Sequence, residues 1–481
     1  MLTRLRVKGF KNLRDVDLRF GFFTCVAGAN GVGKSNLFDA IVLLSDLASM
    51  PVLKAFSQAR GTNGRTADFE ALFFREAGEP TPRIEFIVEM IIPREVLDDF
   101  DRKAKPTASF VEYTLVLRLS PDSASAATKD SIHIEKEELR AISSSDAGKF
   151  LEFKGGLELA RDKHFVFGPG KRTTPFIQTS TDGDEPVIRL FGEKGLDGSK
   201  ARGGRALEVR ARKSPQSVLS GVNLISHPTA LAARREMQSW RLLQLEPSAL
   251  RMPDQFSDEV QMSATGEHLP NTLFRLGGYG EIANRLSDLV PGVHAVDVQE
   301  DAVRQLRTLS VTMGDRRSYS ASSLSDGTLR FLALAVLSND PSAAGLVCME
   351  EPENGIHPLR IPEMLHLVRG LSDADTAHSD EVQREALRQV IVNTHSPLVV
   401  AEILDDELLM AETLRLKGSS FVNFKSLRGT WRTNANAGDV QVSISRGEVD
   451  PYLSGQAQRP KAPGKTKVRD HFESRDLFQT P

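Results

Sequence analysis

The chain has 481 residues, with 61 Lys and Arg against 64 Asp and Glu, a formal net charge of −3, 40% hydrophobic residues and two cysteines. At roughly 100–200 residues per domain, this leaves room for about two to four domains, or for one large domain with an insertion. The composition argues against a disulfide scaffold and a uniformly basic nucleic-acid coat, and no run approaches the roughly 18 apolar residues of a membrane helix, so a soluble cytoplasmic protein is expected.

Residues 2–8 and 14–20 alternate apolar and charged side chains, which predicts half-buried strands, and residues 22–27 are almost wholly apolar, which predicts a buried central strand. That third strand runs into GANGVGKSN and then into LFDAIVLLSDL, whose apolar residues recur at helical spacing. Alternation returns at 83–92 and 111–119, giving a first lobe rich in antiparallel strands. From Pro121 to Pro228 the pattern weakens into Ser, Gly, Asp and Lys with turn signals such as DGDEP, which predicts an insertion with mobile loops. Order resumes near MQSWRLLQLEP; residues 267–290 look helical, and 293–300 and 306–314 look like strands. The last residues, rich in Pro, Gly and charge, predict a poorly ordered tail. Cys25 and Cys348 each lie inside an apolar run and read as core residues.

The segment from Gly28 to Ser35 fits G-x-x-x-x-G-K-[ST] and lies where that motif works, after a buried strand and before an amphipathic helix. Gly28, Gly31 and Gly33 let the backbone curl so that its N–H groups, with Asn30 and Asn36 beside them, face phosphate oxygens. Lys34 would bridge the terminal phosphates and Ser35 would ligate Mg²⁺. Further on, GLVCMEEPEN is a short apolar strand ending in two acids, and neighbours on a strand point to opposite sides. Glu350 would therefore hold Mg²⁺, while Glu351 would position or deprotonate an attacking water. Upstream lies SLSDGTLR before the apolar helix FLALAVL; downstream, QVIVNTHSP is another buried strand ending in a polar triplet.

In this order, the P-loop, the SLSDGT signature, E-E-P-E and T-H-S-P resemble the ATP-binding-cassette class of P-loop ATPases, and in particular the soluble RecF/SMC-like and OLD-like heads. The resemblance implies an α/β P-loop fold with an antiparallel β-rich N-terminal lobe, a large insertion and a helical signature subdomain. It implies ATP and Mg²⁺ as ligands. Ser325 and Gly327 would contact the γ-phosphate of ATP held by a second protomer in a head-to-tail dimer, and His395 would sense that phosphate. The signature reads LSDGT where transporters carry LSGGQ, which leaves the role of Asp326 open. No Q-loop glutamine is assigned, since Gln58 lacks supporting context, and His357 reads equally as a D-loop or a helix-start residue.

The expected divisions are 1–95 and 231–415 for the two parts of the head, 96–230 for the insertion, 416–454 for a small extension and 455–481 for a disordered basic tail. No heptad pattern indicates SMC-type coiled coils, and the one D-x-D candidate for an OLD-type nuclease centre, Asp373 and Asp375, lies in a polar loop. Lys200, Arg202, Arg205, Arg210, Arg212 and Lys213 form a candidate nucleic-acid patch, or a plain solvated loop. The expected function is an ATPase head that dimerises on ATP and controls a partner effector or senses nucleic acid. Septu, PARIS and retron-associated defence ATPases are the analogy; a RecF-type repair ATPase and a scaffold with vestigial hydrolysis stand beside it.

Overall fold

The computed structural model describes residues 1–62, 69–120, 132–143, 146–147, 151–161, 165, 175–182, 185–193, 207–373, 387–416, 418–435 and 443–453. Two large sheets organise them. The first is antiparallel, with strands in the spatial order Leu207–Arg210, Glu185–Leu190, Ile177–Asp182, Ile132–Ala141, Phe110–Leu119, Arg83–Ile91, Leu2–Phe10 and Leu13–Arg19. Its register follows the period-2 pattern: Leu5 faces Leu18 and Val88, and Val7 faces Val16 and Phe86. Those apolar residues are buried, while on the other face Arg4 pairs with Asp17 at 2.5 Å and Glu89 at 2.7 Å.

Within the stretch expected as an insertion, four strands between residues 132 and 210 continue the first lobe's sheet edge to edge. Glu137, buried on one of these strands, accepts N–H bonds from Val218 at 2.7 Å and Leu219 at 2.9 Å, and the Tyr113 hydroxyl donates to it at 3.1 Å.

The second sheet is built round a P-loop strand, Phe23–Ala27. A parallel set runs Arg241–Leu243, Gly345–Glu350, Arg388–Thr394, Phe23–Ala27 and Leu408–Leu416, to which Ser419–Leu427 adds antiparallel. The extension expected at 416–454 therefore carries on the head's own sheet. Both faces of the parallel set are covered, so its strands read as apolar runs. Val26, Leu346, Cys348 and Ile391 pack toward the helix Lys34–Leu47 and the antiparallel sheet. Cys25, Ala27, Val347, Met349, Val390 and Val392 pack the other way, against the helix Asp326–Asn339. Both cysteines are buried free thiols, as the apolar runs around them suggest. Gln389 joins the two sheets: its side-chain amide donates to Leu2 O at 2.7 Å and Gly21 O at 2.8 Å, and accepts from Leu2 N at 2.9 Å.

The predicted helical stretch 267–290 is two helices, Leu269–Leu276 and Tyr279–Leu289, parted where Gly277 and Gly278 both take a positive φ. With Asp326–Asn339 they form a helical layer, to which the hairpin Ala295–Asp301 and Leu306–Thr312 adds a small antiparallel sheet. No helix among the described residues is long and apolar enough to cross a membrane. The predicted tail, 455–481, lies outside the described residues.

Candidate functional site

The P-loop strand ends at Ala27, and the chain curls through residues 28–33 before the helix Lys34–Leu47 begins. Gly33 takes φ 110°, open to glycine and strained for other residues, and a side chain there would overlap the amide of Asn12. Asn12, in the turn between the first two strands, donates to Val32 O at 3.0 Å and accepts from Asn36 at 2.8 Å. The lobe thus clamps the loop from outside it. Lys34 is buried, and its ammonium donates to Gly28 O at 2.7 Å and Ala29 O at 2.9 Å. Burial lowers its pKa from the ordinary lysine value, against the pull of Glu351 and Glu353.

Side chains alternate along Gly345–Glu350, so Glu350 points to the same side as Leu346 and Cys348, toward the P-loop helix. There Arg60 grips it with two bonds, of 2.8 Å and 3.1 Å, and the Gln244 amide approaches at 3.4 Å. Burial alone would raise the Glu350 pKa; hydrogen bonds from Arg60 and the Ser35 hydroxyl outweigh it and leave the carboxyl below its ordinary value. At Glu351 the strand breaks: φ is 47°, and its N–H donates to Asn393 O at 3.0 Å and Oδ1 at 3.2 Å. Its carboxylate lies 2.7 Å from His395 Nδ1. A non-glycine residue in the left-handed region at the end of a buried strand is the kind of strain that functional sites hold. Burial raises the pKa of Glu353, to which the Thr394 hydroxyl donates.

These residues surround a cavity of about 780 Å³, within the range of small-molecule sites. Asn30, Gly31, Gly33, Lys34, Ser35 and Asn36 line one side, and Gln244, Arg330, Glu350 and Glu351 the other. The Ser35 hydroxyl, the Glu350 carboxylate and the Gln244 amide are hard oxygen donors of the type Mg²⁺ selects, so the donor set fits that ion. Of the predicted site residues, His395 reaches the cavity through Glu351. Ser325 and Gly327 do not line it. Ser325 is the exposed N-cap of Asp326–Asn339, where its hydroxyl accepts from Thr328 N at 3.2 Å. Asp326, left open by the sequence, pairs with Arg251 at 2.6 Å.

Sequence reading misses Gln244, Arg60 and Asn12. Gln244 follows the three-residue edge strand Arg241–Leu243, and nothing in the residues around it marks a role. Gln58 closes the helix Val52–Gln58 and does not line the cavity. His357 caps the turn Pro358–Arg360, accepting from Leu359 N at 3.3 Å, as a helix-start histidine does. Of the basic patch, Arg210, Arg212 and Lys213 are exposed, with Arg210 lying 3.7 Å from Glu185; Lys200, Arg202 and Arg205 lie outside the described residues. Asp373 is buried and accepts from Arg388 N at 2.8 Å, and Asp375 lies outside the described residues.

A glycine loop feeding a helix, two acids at the end of the neighbouring strand but one, and a histidine just past the strand between them are the arrangement of a P-loop ATPase domain. The chain belongs to the family described as "AAA domain, putative AbiEii toxin, Type IV TA system", whose model matches residues 23–99 and 118–401. A stretch of 57 residues is 44% identical to the OLD nuclease of Thermus scotoductus, covering 12% of this chain and 10% of that protein. Among solved structures, the Smc head bound to the C-winged helix domain of ScpA is similar at 14% identity and a TM-score of 0.44, over 88% of this chain and 98% of that one. The SMC head domain of Thermotoga maritima is similar at 14% identity and a TM-score of 0.34, with the same coverage.

Proposed function

We propose that the chain binds ATP with Mg²⁺ in the 780 Å³ cavity and hydrolyses it, using Glu351 as the base and His395 to orient that base. The observation that carries this is the convergence of Lys34, Ser35, Glu350 and Glu351 on one cavity from elements more than 300 residues apart in sequence. Lys34 leaves the Gly28 and Ala29 carbonyls for the phosphates, and the free N–H groups of residues 30–35 take their oxygens. Mg²⁺, held by Ser35 and Glu350 with Gln244 beside them, would neutralise charge building between the β- and γ-phosphates. The Glu351 carboxylate accepts the proton of the attacking water, and the bend at its backbone fixes its direction toward His395.

A second copy completes the site. Ser325 and the first N–H groups of Asp326–Asn339 make an exposed anion site that lies outside its own cavity, which supports a head-to-tail dimer with ATP between the copies. The cycle then controls a partner effector, and the family's description, "putative AbiEii toxin, Type IV TA system", is in keeping with a role in antiviral defence. Light scattering on Glu351→Gln tests this: the variant should bind ATP, form dimers and stall, and a variant that stays monomeric in saturating Mg·ATP overturns the dimer. Direct DNA binding is the second reading, favoured by the exposed Arg212 and Lys213. It requires salt-sensitive, ATP-dependent binding of duplex DNA that falls on neutralising those two residues.

A further inference from the structure

We propose that Arg60 gates the metal end of the cavity: its guanidinium competes with the divalent cation for Glu350 and must give way for that cation to be held. The inference rests on the reading above that Glu350 and Ser35 hold Mg²⁺. Arg60 stands in the turn after Val52–Gln58, away from every motif, yet its two terminal nitrogens meet the two Glu350 oxygens at 2.8 Å and 3.1 Å. One of these nitrogens also lies 3.4 Å from Ser35 O. The fork therefore places a fixed positive charge against both residues that would hold the cation. A carboxylate keeps lone pairs to spare, but a dication a little over 2 Å from its oxygens would sit beside that charge, and arginine cannot shed it.

The arginine is also provided with somewhere to stay. Its Nε donates to Asp39 at 2.5 Å, and Asp39 is buried on the P-loop helix. Lys11 braces the arrangement by donating to Asp39 at 2.6 Å and to the Arg60 carbonyl at 2.7 Å. A guanidinium released from Glu350 thus remains tethered within reach and can return when the cation leaves. Arg60 is half-exposed, so the exchange needs no opening of the core. The consequence is that the metal is not bound ahead of nucleotide: the cation alone gains too little from Glu350 to displace the arginine, and the phosphates must supply the rest.

The test uses Mn²⁺ as the probe, followed by electron paramagnetic resonance on the full chain, with protein in excess over AMP-PNP. Arg60→Gln should hold Mn²⁺ about three- to tenfold more tightly than the parent, as expected for removing a partly exposed charged fork. Unchanged or weaker Mn²⁺ binding overturns the gate. Binding of AMP-PNP in EDTA is measured beside it: the gate expects less than about a twofold change, and a large loss would make Arg60 a phosphate ligand and overturn the proposal. Arg60→Lys, which keeps the charge without the fork, should fall between the two and serves if Arg60→Gln misfolds. Glu350→Gln separates the premises, since Mn²⁺ affinity that ignores this change would defeat the metal reading of Glu350 whatever Arg60 does.

Discussion

The P-loop face and the signature face carry the same chemistry, backbone N–H groups at the start of a helix, in opposite settings. At the P-loop, Gly33 opens the turn, Asn12 clamps it from the neighbouring lobe, and the loop looks into a cavity closed by Glu350 and Glu351. At the signature, Ser325 caps an equally long helix, but the cap is exposed and shares no cavity with the first site. On the reading proposed above, the first face is a binding site in its own right and the second is half of one. On that reading, helix N–H groups without a cavity serve only when another surface supplies the remaining walls.

Substitutions can separate the two faces. The largest effect is expected at Glu351→Gln, where steady-state turnover should fall about 10²–10⁴-fold while ATP affinity changes by less than about twofold. Unchanged turnover would remove Glu351 from the base role. Lys34→Ala should weaken ATP about 100-fold in a fluorescent-nucleotide titration, because several charge-assisted bonds to phosphate are lost. Ser325→Arg should leave that titration unchanged yet cut turnover at least about tenfold by obstructing the second copy. Mixing Lys34→Ala with Ser325→Arg should restore about a quarter of parental turnover, since random pairing repairs one site in half of the dimers. If the mixture stays dead, the two faces do not meet in trans.

A smaller effect is expected away from both faces. Burial pushes the Glu137 carboxyl up to about 7, against the pull of the Leu219 and Val218 N–H groups and the Tyr113 hydroxyl. A carboxyl that holds its proton more tightly when folded makes the folded state lose stability as pH rises from about 4.5 to about 7, by at most about 3 kcal/mol. Thermal melts should therefore show a higher midpoint at pH 5 than at pH 7.5, and Glu137→Gln should flatten the difference.

What the sequence made legible was contiguous. The P-loop, the signature, the two acids and the histidine each sit in a run of residues whose spacing has a mechanical meaning, so they could be read without tertiary information. Gln244 and Arg60 could not, because they come to Glu350 across 106 and 290 residues, and nothing local marks them. Asn12 belongs to a turn whose role is set by what it touches. The strands between residues 132 and 210 carry little signal because Pro121 to Pro228 is rich in Ser, Gly, Asp and Lys, with turn signals and few long apolar runs. The outermost of them, Leu207–Arg210, is largely exposed at the sheet's end, where the apolar pattern is weakest. The break at Gly277 and Gly278 was written in the chain but overruled by the apolar spacing on either side.

The ladder round the P-loop strand has a consequence for how the molecule is made. Phe23–Ala27 pairs with Arg388–Thr394 on one side and Leu408–Leu416 on the other, and with nothing nearer in sequence. At about 5–20 residues per second, roughly 20–70 s of synthesis separate the emergence of this strand from that of its first neighbour. For that interval its apolar edge has no native partner, so assembly of the head waits on its C-terminal third.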